Sequence, residues 1–241
     1  MWYAKNTGGY DLYSIEAEGN ANEICNILTP LSYVLSAICA ILGNIRRECD
    51  YNPWQWENND IRTTSNYHSF TGGYGLMQWT PCYEYIDSST AQGYSTYSPN
   101  FLDSPGTASD GDAQILFMNH QCLGNDWFAQ TPGSNQYNAY LNRLSSIGID
   151  YTRFYNMTFA QFKAGSGPQP NITYTRDDWL GAFATNYLRC NSYELADKFS
   201  KMSIAYNYWY EYFSGNPPSP DPPIPVLTKH KMPVWMMIKY Y

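Results

Sequence analysis

The chain is poor in charge and poorest in positive charge. Charged residues make up 15% of its 241 positions, and 14 Lys and Arg face 21 Asp and Glu, for a net charge of −7. No basic patch stands out, which argues against a nucleic-acid partner held through its phosphates. No apolar run approaches the roughly 20 residues needed to cross a bilayer, so no membrane span is expected. Cys25, Cys39, Cys49, Cys82, Cys122 and Cys190 are scattered. With no Cys-x-x-Cys pair and no Cys/His cluster among them, a structural zinc site is not expected. Their even number leaves disulfides open. The N-terminus has an early Lys5 and no apolar segment of the secretory kind. If the protein works outside a cell, something other than an N-terminal signal must deliver it. No internal repeat is present.

Aromatic residues, by contrast, are abundant: 17% of the chain, with 24 Tyr and 8 Trp. Both types join a flat apolar face to a polar handle, which suits stacking on sugar rings as well as core packing. The length fits one compact domain with appendages. Residues 1–24 read as a lead-in packed on a catalytic domain of residues 25–214, with a short helix near Glu18 to Leu28. Residues 49–81 hold turn formers such as Asn52-Pro53 and Gly72-Gly73 and read as a loop or small hairpin lobe. Residues 82–109, rich in Ser, Thr, Gly and Tyr, read as mostly irregular. Helices resume beyond Asp110 and Asp112, whose acids suit a first turn. Ser134 reads as a cap. Thr158 with Gln161, and Thr175 with Asp178, have capping-box spacing, and Gly165 is a stop. A last helix from Ser192 carries Leu195, Phe199, Met202, Tyr206, Trp209 and Phe213 on one stripe. Residues 215–228 form a linker rich in Pro. Residues 229–241 are basic and apolar, and are expected to dock on a protein partner or insert at an interface.

One carboxylic acid is singled out by its position. Thr29 can cap a helix and Pro30 suits its first position. Leu31, Val34, Leu35, Ile38, Ile41, Leu42 and Ile45 then recur at three- and four-residue steps. Glu48 continues this apolar stripe at the end of a helix predicted over Thr29 to Glu48, with Arg46 and Arg47 lying off it. Burial disfavours a carboxylate, and the negative end of the helix dipole acts the same way. Glu48 should therefore hold a proton near neutrality, as a general acid must. The alternative is a frayed helix end at which Glu48 reaches water or pairs with an arginine.

These residues, taken in order, carry a resemblance. Gly43-Asn44-Ile45, Glu48, Asn52-Pro53 and Gly73-Tyr74-Gly75-Leu76-Met77-Gln78-Trp79-Thr80-Pro81 resemble the phage tail lysozyme family. That family belongs to the wider lysozyme-like superfamily that includes lytic transglycosylases. Gly8-Gly9-Tyr10, Glu16-Ala17, Asn20-Ala21, and late residues Phe183, Tyr187, Arg189 and Trp209 to Phe213 fit the same pattern. The resemblance spans roughly residues 8–213. It implies a mainly α fold of the α+β kind, a lysozyme-like helical domain with a small β-hairpin lobe, here followed by an extended C-terminal arm. It implies cleavage of the β-1,4 bond between N-acetylmuramic acid and N-acetylglucosamine in peptidoglycan, in a virion tail or as a released or prophage-encoded lytic enzyme; the alternatives are a lytic transglycosylase on the same bond and a non-catalytic glycan-binding tail structural protein.

The resemblance implies that Glu48 protonates the leaving oxygen. A hydrolase needs a second carboxylate. Asp60 and Glu57 lie where it is expected, Asp60 being favoured, although either could be a solvated loop acid. Lytic transglycosylases manage with one Glu, usually followed by a hydroxyl residue. Cys49 stands there instead, and a thiol is a poorer hydrogen-bond partner. Tyr74 and Gln78 are expected to line the cleft, with Gln78 bonding an acetamido group or bracing Glu48. Gly73 and Gly75 are expected to let backbone approach the substrate. Trp79 is expected either to stack on a sugar or to sit in the core, and Tyr187 to contact the reacting sugar. The chemistry needs only protons and water, so no metal or cofactor is expected. The partners are peptidoglycan glycan strands and, through the C-terminal tail, other tail proteins.

Overall fold

A computed structural model describes residues 2–62, 65–93 and 109–215. The expected Pro-rich linker beyond Gly215 and the basic tail lie outside those residues. The described chain is mainly helical, with α1 (Ile15–Leu28), α2 (Leu35–Glu48), α3 (Cys82–Ala91), α4 (Ser109–Leu123), α5 (Asn135–Ser145), α6 (Phe159–Ala164), α7 (Arg176–Asn186) and α8 (Ser192–Phe213). None of these helices is long and apolar enough to cross a membrane. All six cysteines are free thiols.

Local signals explain most helix starts. Ser14 caps α1 by accepting from the Ala17 N–H, so that helix begins earlier than Glu18. Ser134 caps α5. Both expected capping boxes form, and Gly165 ends α6 at φ 68°. Asn191 caps α8 directly before Ser192.

The long helix expected from Thr29 is shorter. Thr29 closes α1 instead, its N–H bonding Cys25 O. Ser32 at φ 68° then turns the chain before α2. The N–H of Val34, the residue before α2, is satisfied from far away, by Lys163 O at 3.0 Å. No window of local sequence contains that acceptor.

Helix α2 runs through the core between α7 and α8 and is buried on nearly all sides, from Ala37 to Ile45 and again at Arg47. A helix apolar all round is a core helix. Gly43 sets how closely its neighbours approach: a Cβ there would stand 2.5 Å from Leu180 Cδ2 on α7 and 2.9 Å from Met202 O on α8. The α8 stripe packs as its spacing predicts, with Leu195, Phe199, Met202, Tyr206 and Trp209 buried.

The lobe between α2 and α3 is not a β-hairpin. Two isolated bridges, Trp56 with Tyr74 and Tyr74 with Trp79, are its only pairings among the described residues. Asp50, Tyr51, Asn58, Asn59, Gly75 and Gln78 all adopt positive φ, and so many left-handed turns break the extended runs a strand needs. Aromatic packing holds the lobe instead, Trp56 lying 4.6 Å from Tyr74 and 5.7 Å from Phe70 between ring centroids. The segment expected to be irregular after Pro81 opens with α3. Cys82, Tyr85, Ile86 and Ser89 are its buried face, an i, i+3, i+4, i+7 pattern legible beneath the polar composition.

Candidate active site

Helix α2 ends at Glu48 because Cys49 leaves helical geometry and Asp50 and Tyr51 turn left-handed. The Glu48 side chain is 14% exposed. It lines a cleft of about 590 Å³ whose walls come from the lobe (Glu57, Met77 to Thr80), α3 (Glu84), α4 (Gln121), the loop at Asp126, the turn Tyr187 to Asn191, and the first turns of α8 (Glu194, Lys198).

Arg46 behaves as its position suggests, pairing with Asp50 at 2.7 Å. Arg47 does not lie off the buried stripe. Its side chain is 4% exposed. Its Nη2 contacts Glu48 Oε1 and donates to Cys190 Sγ at 2.6 Å, while Nη1 lies 3.7 Å from Glu194 Oε1. A guanidinium thus lies against the carboxyl group at the end of α2. The position of Glu48 at the helix end was legible in the sequence, and pairing with an arginine was the alternative reading there; that the partner is the buried Arg47 was not legible. Burial pushes the Cys190 thiol up despite Arg47. Glu194 is held below the usual carboxylate range, first by Lys198 and then by Arg47.

The opposite wall is built around Gln121, which sequence reasoning missed. Its Oε1 accepts from Trp79 Nε1 at 2.8 Å and from Tyr187 OH at 2.7 Å. An indole N–H can only donate, so the amide oxygen faces these two groups and the NH₂ is the end left for the cleft. Burial holds the Tyr187 phenol well above its ordinary value, which keeps it a neutral donor. Trp79 lines the cleft and also belongs to the core, stacked on Tyr85 at 4.4 Å between ring centroids. No short motif signals a glutamine bridging two aromatics; the spacing of His120-Gln121-Cys122 on α4 is ordinary.

The remaining expected residues divide. Gln78 lines the cleft, but its Nε2 donates to Gln55 O and Gly75 O, so it braces the turn. Tyr74 is fully buried outside the cleft wall, its hydroxyl donating to Asp110 at 2.8 Å. Gly73 and Gly75 serve internal packing: added Cβ atoms would meet Gln78 Oε1 at 2.9 Å and Gln114 Oε1 at 2.6 Å. Asp60 is apart from the cleft-lining set, on an exposed turn paired with Arg62. Glu57 does line the cleft, with Oε2 accepting from the Gly73 N–H at 2.7 Å. Asp60 closes the short 3₁₀ turn Glu57–Asn59, whose middle residue Asn58 is left-handed.

Behind the turn lies a second buried acid that sequence reasoning used only as a helix-start signal. Asp110 on α4 is fully buried and accepts from Tyr74 OH, Gln114 Nε2 and Tyr85 OH. Gln114 in turn accepts from Leu76 N and donates to Pro53 O, both at 2.7 Å. Desolvation pushes Asp110 up to about 7, against the three donors that favour its ionised form. This pair ties α4 to the turn carrying Gln78 and Trp79.

A mainly helical body with a cleft walled by acids, amides and aromatic rings, and a carboxylic acid at the end of its central helix, has the build of a lysozyme-like protein. The family comparison agrees: the phage tail lysozyme family matches residues 19–213, and the chain belongs to it. The chain is also similar to Morphogenesis protein 1 of Bacillus phage B103, 39% identical over 87 residues. That match covers 36% of this chain and only 21% of the relative, so the chain spans about a fifth of that protein's length.

Proposed function

We propose that the chain is a peptidoglycan glycosidase cleaving the β-1,4 bond between N-acetylmuramic acid and N-acetylglucosamine, with Glu48 as general acid. The carrying observation is Glu48 itself, mostly shielded from water, at the mouth of a helix in a cleft long enough to draw walls from six segments. Glu48 gives its proton to the leaving oxygen, and Arg47 stabilises the carboxylate left behind. The second carboxylate is Glu57 in preference to Asp60, because Glu57 faces the cleft and is oriented by the Gly73 N–H. Gln121 and Trp79 supply an amide donor and a ring edge for an N-acetyl sugar. Membership of a tail lysozyme family, and a relative named for morphogenesis, support a place on a phage particle acting at the cell wall.

Mass spectrometry of the soluble products of purified peptidoglycan tests this, with Glu48→Gln run in parallel. Reducing muramic acid ends are expected, with loss of roughly 10²–10⁴-fold in rate for the variant, the usual worth of a general acid. Anhydro-muramic ends would instead mean transglycosylation with Glu48 as both acid and base. Equal rates for the variant would remove Glu48 from the chemistry.

A further inference from the structure

Three amide side chains line the cleft beside Glu48: Gln78, Gln121 and Asn191. Gln78 uses its NH₂ within the turn, donating to Gln55 O at 3.0 Å and Gly75 O at 2.9 Å. Gln121 turns its oxygen to Trp79 and Tyr187 and leaves its NH₂ for the cleft. Asn191 is oriented by the same logic. Its Oδ1 accepts from the Tyr193 N–H at 3.0 Å and the Glu194 N–H at 3.4 Å, as the cap of α8. A backbone N–H can only donate, so the carbonyl end of this amide faces the helix. The NH₂ end carries no hydrogen bond among the described residues and is left for the cleft.

We propose that Asn191 is a specificity-determining residue for the glycan, its Nδ2 donating to the carbonyl of an N-acetyl group on the bound strand. This rests on the reading of the cleft as a peptidoglycan site. Place supports it. Asn191 directly follows Cys190, whose Sγ lies 3.9 Å from Glu48 Oε1 and accepts from Arg47 Nη2. The amide therefore stands close to the acid, where the sugars next to the scissile bond must lie.

Chemical type supports it too. An acetamido carbonyl is a neutral acceptor, and the other side-chain donors of the cleft are engaged. Thr80 donates to Gln78 O at 2.9 Å, and Trp79 and Tyr187 donate to Gln121. Lys198 pairs with Glu194 at 2.6 Å and Arg189 with Asp126 at 3.4 Å. Two amide NH₂ groups remain, one on the Gln121 wall and one continuing the Cys190 side. Successive sugars of a β-1,4 strand are flipped over relative to one another, so their acetamido groups leave from alternate edges. Donors on both walls suit two neighbouring sugars. A de-N-acetylated sugar presents an ammonium, which meets the amide donor-to-donor and is selected against.

Asn191→Ser separates this role from capping. Serine caps a helix about as well as asparagine, so the thermal unfolding midpoint should stay unchanged, but it brings no amide. Calorimetric titrations compare Glu48→Gln with the Glu48→Gln, Asn191→Ser double variant, so that glycan is bound and not cut. The probes are a soluble tetrasaccharide of alternating N-acetylglucosamine and N-acetylmuramic acid and its de-N-acetylated counterpart. Loss of one hydrogen bond should weaken binding of the acetylated sugar by roughly two- to tenfold and leave the other within a factor of about two. The charge that de-N-acetylation exposes meets both proteins alike and cancels in the comparison. Asn191→Asp, which also caps but offers only acceptors, should lose at least as much. Equal weakening for both sugars would mean that the substitution acts through the structure of the wall, and would overturn the proposal. So would unchanged affinity for the acetylated sugar in either variant. Binding of neither sugar by Glu48→Gln alone would remove the glycan reading of the cleft, and this inference with it.

Discussion

Replacing Asp110 with Asn should change how stability depends on pH more than it changes the fold. Asp110 is fully buried, and desolvation carries its carboxyl from the ordinary 3.8 to about 7. The sign follows from which state holds the proton. Below about pH 4 both folded and unfolded chains are protonated at this group, and its contribution is fully present. As the pH rises the unfolded chain ionises first, while the folded chain keeps its proton until near 7, so stability falls through that window. The displacement is worth roughly 4 kcal/mol in total, at about 1.4 kcal/mol per pH unit. For a chain of this size that corresponds to a midpoint change on the order of 10 °C. Asparagine keeps the shape and an acceptor for Tyr74 and Gln114 but has no proton to lose. Urea melts of wild type and Asp110→Asn at intervals from pH 4 to 8 isolate the group, since all other titrations cancel in the difference. The stability of the wild type relative to the variant should decline steadily across that range. A difference that stays flat to within about 1 kcal/mol would refute the desolvation argument. Since Asp110 and Gln114 hold the turn carrying Gln78 and Trp79, cleft order should weaken with stability on the alkaline side.

Other outcomes follow from single contacts. Glu57→Gln should lower glycan cleavage by at least about tenfold, whereas Asp60→Asn should leave it within a factor of about two; initial rates on purified peptidoglycan distinguish them, and the reverse order would return the second role to Asp60. Gly43→Ala forces α2 away from Leu180 and the Met202 carbonyl, and calorimetry should show a loss of roughly 1–3 kcal/mol. Tyr187→Phe removes one of the two donors on Gln121 Oε1. About a two- to tenfold rise in KM with little change in kcat is expected, as for one hydrogen bond; an unchanged KM would mean that Gln121 does not bind substrate.

Much of this molecule was legible along the chain. The capping boxes at Thr158 and Thr175, the Ser134 cap, the stripe of α8 and the place of Glu48 at the inner end of α2 all rest on bonds or spacings within a few residues. Such signals survive in sequence because the partners are near neighbours. The hairpin expected in the lobe failed for a related reason: turn formers and the resemblance suggested it, but the left-handed backbone at six positions depends on how the lobe folds against α4 and the lead-in.

What only the tertiary structure decided involves partners far apart. Arg47 is buried against Glu48 because Cys190, 143 residues on, closes over it. Tyr74 turns away from the cleft because Asp110 waits behind it. Gln121 becomes part of the cleft wall because Trp79 and Tyr187 converge on its oxygen. Glu57 faces the cleft and Asp60 does not, although three residues separate them. The sequence by itself determined most of the helix caps and the place of Glu48 at the end of α2; the start of α2, the burial of Arg47 against that acid and which nearby carboxylate faces the cleft were decided by the fold, because a buried charge is governed by everything packed around it and not by its neighbours along the chain.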